Sequence, residues 1–280
     1  MTRKEEIGLV GTMMRYAARM RTSLLMCCVL LVAGCVTNPE TGRQSFILTS
    51  ESQESAMGDQ AYREILSKER PSSNTRWTQI LQRVGRRVAA VANRPDFHWE
   101  FRLIGSKEMN AFCLPGGKVA FYTGIFPVAR TEAGLAAIMG HEVAHATLRH
   151  GGQRITLALG TQLGLMGLQQ VLGGGDSTEK SLLFAALGAG ATVGAVLPFS
   201  RANESEADEI GLVYMARAGY DPREAPGIWA RMAQQGGAAP PEFLSTHPPS
   251  LKRQKALEAQ VPRAMPVYER SPRVGTGETL

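Results

Sequence analysis

Trp77, Ile80, Leu81, Val84 and Val88 recur three and four residues apart among charged neighbours, and this spacing predicts an amphipathic helix over 75–93 that starts after Asn74. The stretch 50–69 reads as a second helix, with Ser50 as its cap and Pro71 just beyond its end. Three short strands are expected at about 98–104, 109–114 and 117–122, with Gly116-Gly117 making a tight hairpin of the last two. A helix is then predicted from Thr131, its cap, to His150, with Gly151-Gly152 as its stop. Two apolar, glycine-rich stretches follow at 154–172 and 180–197, parted by Gly173-Gly174-Gly175-Asp176. A helix over 201–218 closes at Gly219, Asp221-Pro222 opens the next, and a last one fits 250–260. Many helices and one small three-stranded sheet make the fold class α+β.

The front of the chain has a different pattern. Arg15, Arg19 and Arg21 precede an apolar run that ends in Val32-Ala33-Gly34-Cys35, too short for a comfortable membrane span. Small residues before a cysteine resemble a bacterial lipobox, in which Cys35 would be lipidated and become the mature N-terminus. Val36 after it, rather than Asp, resembles sorting to the outer membrane, with the body facing the periplasm of a Gram-negative bacterium. Met13, Met14 and Met20 are candidate starts of this leader. The expected organisation is therefore a signal peptide with lipobox over 1–35, a polar linker over 36–48, one domain over 49–262 and a loose tail over 263–280.

Charge alters this picture little. The formal net charge is +6, but 1–35 carry five Lys or Arg against two Glu, so the body is close to balance. No basic cluster interleaved with aromatics appears and the glycine run lacks the Lys-Ser/Thr of a phosphate loop, so nucleic acid is not an expected partner. Of four cysteines only Cys113 lies beyond the leader and Cys35, which leaves no internal disulfide framework. Cys113 reads as a buried small hydrophobe.

His141-Glu142-Val143-Ala144-His145 carries the chemistry. On a helix, residues four apart share a face, so both imidazoles can reach one ion. Zinc accepts histidine nitrogen well and lowers the pKa of its water to about 7. Glu142 can take that water's proton as general base and return it to a leaving amine. Only five histidines exist in the chain, so this spacing around a glutamate is not readily an accident.

A hydrolytic zinc site needs a third protein ligand and an open position. His150, Glu204, Glu206, Asp208 and His247 are candidates. On a continuous helix His150 lies about 140° round from His145 and points away. Glu204 and Asp208 are one turn apart on one face, with Glu206 on the opposite, solvated face. Spacing ranks Glu204 and Asp208 above Glu206 without choosing between them.

These residues resemble the HtpX and CAAX prenyl protease family of zinc peptidases, and within it the short periplasmic lipoprotein branch. The family pairs His-Glu-x-x-His with a downstream Glu-x-x-Ala-Asp, here Glu204-Ser205-Glu206-Ala207-Asp208 after Phe199-Ser200-Arg201. The resemblance implies Glu204 as third zinc ligand and Asp208 as its neighbour. Ser245-Thr246-His247-Pro248-Pro249, followed by Arg253, matches a third motif. There the histidine is implied to be a switchable fourth ligand or to steady the reacting oxyanion, with Arg253 nearby. Asn110-Ala111-Phe112, Leu114-Pro115-Gly116-Gly117 and Thr123-Gly124 extend the match. Asn110, Ala111, Phe112, Gly116 and Gly117 are implied to form a substrate-binding edge strand. The similarity covers roughly 38–260 and lacks the helical-repeat domain of longer members. Membrane-embedded members carry transmembrane helices where 154–197 lies. Here that stretch, with Gln162, Gln169 and Gln170, reads as a hairpin over the active site that touches the membrane without spanning it.

The leading expectation is a mostly helical zincin-type endopeptidase, lipid-anchored in the envelope, that cleaves unfolded or misassembled envelope proteins. The second is an outer-membrane assembly factor or chaperone, partnered with the assembly machinery, whose peptidase site is latent. A structural lipoprotein without metal is the third.

Overall fold

The computed structural model describes residues 35–171, 200–234, 242–247 and 251–280. The chain divides into two compact units at Leu48 and Thr49. In the first, β1 (Cys35–Thr37) pairs antiparallel with β2 (Gln44–Phe46), Cys35 opposite Phe46. The Asn38 side-chain oxygen accepts from the backbone N–H groups of Glu40 and Thr41 and turns the chain between them. A short ribbon thus stands where the sequence suggests a plain linker. The signal segment up to Gly34 and the second apolar stretch, 180–197, lie outside the described residues.

The second unit holds the core. Helix α1 (Glu51–Lys68) begins with a capping box in which Ser50 accepts from the Gln53 N–H and the Gln53 side chain accepts from the Ser50 N–H. Helix α2 (Thr75–Val91) is capped by Asn74 and buries Ile80, Leu81, Val84 and Val88, the stripe its spacing predicts. Strands β3 (Glu100–Ile104), β4 (Ala111–Leu114) and β5 (Lys118–Tyr122) form one sheet in the order β3-β5-β4. β3 runs parallel to β5, and β4 antiparallel to it with Ala111 opposite Phe121. Gly116 and Gly117, both at φ +84°, make the β4–β5 turn, a conformation that side chains with a Cβ resist. The outer edge of β3 is covered by bonds from the Ser72 N–H to the Leu103 carbonyl and from the Gly105 N–H to the Arg70 carbonyl.

After a 3₁₀ turn at Thr123–Ile125 and the short α3 (Phe126–Ala129), α4 (Glu132–Thr147) runs through the centre, capped by Thr131 and buried along most of its length. It ends before the predicted His150. Arg149 takes a left-handed conformation at φ 56°, and α5 (His150–Val171) starts immediately after it. Gly151 and Gly152, expected to stop the first helix, lie inside the second. The Arg149 guanidinium fixes the bend, donating to both Glu54 carboxylate oxygens at 3.1 and 2.7 Å and to the Thr49 carbonyl at 2.7 Å. Among the described residues no helix is long and apolar enough to cross a membrane.

Helix α6 (Arg201–Arg217) packs along α4, followed by a 3₁₀ turn at Pro222–Glu224, α7 (Ala225–Gln234), α8 (Glu242–Thr246) and α9 (Leu251–Glu269). α9 continues past the predicted end and contains Pro262 and Pro266. Each internal proline costs a helix about 3 kcal/mol, and burial of Leu257, Ala264 and Tyr268 against the core offsets this. The tail is not loose either. The N–H groups of Glu132 and Ala133 donate to the carbonyls of Glu278 and Thr276, and the Leu280 N–H to the Arg130 carbonyl. The last residues therefore satisfy the open backbone donors at the start of α4.

Two glycines let α4 and α6 touch backbone to backbone. A Cβ on Gly140 would lie 2.5 Å from the Gly211 carbonyl oxygen, and one on Gly211 would lie 2.7 Å from the His141 nitrogen. Gly211→Ala is therefore expected to push the helices apart, destabilise the fold by about 1–3 kcal/mol and weaken metal retention. Urea unfolding with metal analysis of the folded protein measures both.

Candidate metal centre

α4 sets His141 and His145 on one face, one turn apart, and the crossing at Gly140 and Gly211 brings the first turn of α6 over them. α8 delivers His247 from the third side. The ligand atoms of His141, His145, Glu204 and His247 all lie within 4.8 Å of one another, and all four residues are buried. His141 Nε2 is 3.1 Å from His145 Nε2 and 3.3 Å from His247 Nδ1. Glu204 reaches His141 Nε2 at 3.6 Å, His145 Nε2 at 3.4 Å and His247 Nδ1 at 3.0 Å.

The donor set fits a divalent cation. His141 Nδ1 lies 3.0 Å from Asp208 Oδ1, an acceptor-only oxygen, which favours the tautomer with the ring hydrogen on Nδ1. Nε2 then presents a lone pair toward the Nε2 of His145. If His145 Nε2 is likewise unprotonated, the two lone pairs face each other across 3.1 Å beside a buried carboxylate, an arrangement that a cation between them would satisfy. The edge of a tetrahedron built on metal–ligand bonds of about 2.0–2.1 Å is about 3.3–3.4 Å, which matches the observed spacings.

Arg253 holds the acidic side of the site. Its Nε and an Nη donate to the two Asp208 oxygens, each at 2.8 Å, and its other Nη lies 2.5 Å from Glu204. The guanidinium also stacks 4.1 Å from the Trp229 ring centroid, and Trp229 packs edge-on to His141. Burial would raise the Glu204 carboxyl, but the surrounding imidazoles of His145, His247 and His141 outweigh it and hold it far below the usual carboxylate range. Burial likewise opposes the charge on Asp208, and the contacts from His141 and Arg253 win, lowering it.

Glu142 sits beside this set. Burial pushes its carboxyl up, partly countered by His247 and His141. Its Oε1 is buried without a hydrogen-bond partner among the described residues and lies 3.5 Å from His247 Nε2. A carboxylate with a raised proton affinity and an open oxygen is equipped to move a proton.

The structure thus brings together His141, Glu142, His145, Glu204, Asp208, His247 and Arg253. Two sequence expectations fail. His150 does not point away from the site: it is fully buried, with Nδ1 3.0 Å from His145 Nδ1. Glu206 is not solvated; its side chain is 10% exposed and lies 3.1 Å from His150 Nε2. The left-handed Arg149 breaks the helix and swings His150 back, so the angle computed for a continuous helix does not apply. The strand residues divide. Ala111 and Phe112 lie on β4, at the sheet edge beside α4, and Asn110 immediately precedes it, whereas Gly116 and Gly117 belong to the turn and offer no extended backbone. Trp229 was not legible as a site residue, because a lone tryptophan on a helix signals only burial.

The sequence profile of Peptidase family M48 matches residues 75–261, a span that contains every residue of this centre. This chain belongs to peptidase family M48. It is a metalloendopeptidase on that ground, and the M48 assignment replaces the looser HtpX and CAAX prenyl protease label. The mitochondrial metalloendopeptidase OMA1 of Schizosaccharomyces pombe is 37% identical over 243 residues, covering 83% of this chain and 68% of that protein. OMA1 of Saccharomyces cerevisiae is 31% identical over 258 residues, covering 83% of this chain and 71% of the other. The beta-barrel assembly-enhancing protease of Escherichia coli is 31% identical over 219 residues, covering 76% of this chain but 44% of that protein. The chain therefore spans under half the length of this bacterial relative.

In this M48 centre Arg253 balances two buried carboxylates. Arg253→Leu is expected to destabilise the metal-free protein by about 3–5 kcal/mol, because both charges lose their partner. Urea denaturation in the presence of a chelator reads this directly, and saturating metal should recover part of the loss.

Proposed function

We propose that this chain is a zinc endopeptidase, anchored by a lipid on Cys35 at the outer membrane and facing the periplasm, that cleaves unfolded or misassembled envelope proteins. The convergence of His141, His145 and Glu204, with Glu142 open beside them, is the observation that carries this reading. Three protein ligands of this kind suit catalytic zinc. When bound, zinc supplies Lewis acidity for the scissile carbonyl and acidifies water.

The chain's own residues do the rest. Asp208 and Arg253 hold His141 and Glu204 in register. Glu142 accepts the proton of the attacking water on its open oxygen and returns it to the departing amine. His247, raised by Glu142 and Glu204 against the opposing effect of burial, donates toward the developing negative charge. Arg253 is engaged by Asp208 and Glu204, so it acts on the oxyanion only through them. β4 offers an edge for strand addition by an extended substrate. Beside it a cavity of about 350 Å³, lined by Met57, Leu114, Pro115, Ile155 and His145, suits an apolar side chain of the kind unfolded proteins expose. The beta-barrel assembly-enhancing proteases among the relatives favour an envelope role.

A latent enzyme with an assembly role is favoured by one observation. His247 Nδ1 stands 3.0 Å from Glu204 and 3.3 Å from His141 Nε2, where a fourth ligand would close the metal to water. Cleavage then requires His247 to move aside.

Glu142→Gln is expected to keep about one zinc per chain and to lose casein cleavage by about 10²–10⁴-fold, the usual worth of a general acid–base. Chelation should abolish cleavage in the unaltered protein and zinc should restore it. Undiminished hydrolysis by Glu142→Gln rules out the assigned base. Restored outer-membrane assembly by that same variant in cells favours the latent reading. Cys35→Ala, expressed in a Gram-negative host, is expected to move the protein from the membrane to the soluble periplasmic fraction; unchanged membrane retention contradicts the lipid anchor.

A further inference from the structure

The centre has a second layer on the His145 side that mirrors Asp208 on the His141 side. His145 Nδ1 lies 3.0 Å from His150 Nδ1, and His150 Nε2 lies 3.1 Å from Glu206 Oε2. The rings of His145 and His150 meet edge-on, with centroids 4.9 Å apart. Both histidines are buried, and the Glu206 carboxylate sits near the surface end of the series.

Proton placement follows from the donors and acceptors. An ionised carboxylate only accepts, so Glu206 selects the form of His150 with its hydrogen on Nε2. His150 Nδ1 is then a bare acceptor. It faces His145 Nδ1, which must carry the hydrogen between them. That leaves His145 Nε2 with a lone pair, directed at His141 Nε2 and Glu204. The opposite arrangement would put a hydrogen on His145 Nε2 and block it as a ligand. A carboxylate two rings away therefore sets the form of His145 that can hold a cation.

We propose that His150 and Glu206 are positioning residues that fix the tautomer and orientation of His145 for metal binding. The inference rests on the zinc reading above for its functional meaning. The Arg149 bend is part of the device. Anchored on Glu54 and the Thr49 carbonyl, it returns His150 toward α4, where a continuous helix would carry it away. His141 and His145 thus each have a carboxylate behind them, Asp208 at one step and Glu206 at two.

The test compares His150→Leu, Glu206→Leu and Glu206→Gln with the unaltered protein. Zinc affinity is read by competition with a chromophoric chelator on protein shown to be folded by circular dichroism. The two leucine variants are expected to bind zinc about 10–100-fold more weakly, the usual effect of losing such a partner. Glu206→Gln, whose amide oxygen can accept from His150 Nε2, should stay near the unaltered affinity. A merely structural pair would lower the unfolding midpoint yet leave the affinity of the folded protein unchanged, and that result overturns the proposal. So does an equal loss in Glu206→Gln and Glu206→Leu. Nitrogen-15 spectra of the histidine rings in the metal-free, unaltered protein decide the matter if the leucine variants do not fold. A hydrogen on His145 Nδ1 is expected there, and one on Nε2 contradicts the inference. If the unaltered protein takes up no zinc, the proposed function fails instead, and the ring spectra still decide the tautomer.

Discussion

Two imidazole nitrogens, each on a ring whose other nitrogen has a polar partner 3.0 Å behind it, face one another 3.1 Å apart beside a buried carboxylate. Such an arrangement is costly without a cation at its centre, since the lone pairs have no water to turn to. Much of the surrounding structure serves to hold it. Arg253 neutralises Glu204 and Asp208, and Asp208 and His150 orient the two helix histidines. The α4–α6 crossing brings carboxylates and imidazoles within reach of each other. In energetic terms the site is a stress that the scaffold carries and that a bound cation relieves, so metal binding and fold stability are coupled.

The scaffold meets that demand through close contact of backbones as much as through apolar burial. Gly140 and Gly211 remove the side-chain layer that ordinarily separates packed helices. The chain end ties down the start of α4 through backbone bonds at Glu132 and Ala133, while the Glu132 carboxylate accepts from the Tyr220 hydroxyl at 3.1 Å and pairs with Arg83. The catalytic helix is thereby held at its N-terminal end by residues about 145 positions away, and at the other end by Arg149 and Glu54. A helix fixed at both ends holds His141, Glu142 and His145 in constant register.

The features written locally were the ones readable from the sequence. Ser50, Asn74 and Thr131 cap helices through bonds to residues three positions on, so their roles are spelled in adjacent letters. The pairings of His141 with His145 and of Glu204 with Asp208 follow from helical periodicity. Singling out Glu204 over Asp208 as a candidate ligand needed a family resemblance, because periodicity leaves Asp208 equally eligible. Three features were hidden for physical reasons. A left-handed arginine is held by a distant carboxylate, and no local pattern announces it, so the burial of His150 and Glu206 beside the site is not readable from helical spacing. The α9 helix runs through two prolines because tertiary packing outweighs their cost. The tail carries no apolar period because its attachment is made by backbone groups, which every residue possesses.

The arrangement of His141, His145 and Glu204 calls for a nitrogen- and oxygen-ligated cation between α4 and α6. X-ray absorption at the zinc edge of the purified protein tests this most directly. It should show a first sphere of nitrogen and oxygen at about 2.0–2.1 Å with the outer-shell scattering of at least two imidazoles. A sulfur shell at about 2.3 Å, or protein that emerges folded and active with no bound transition metal, would contradict it.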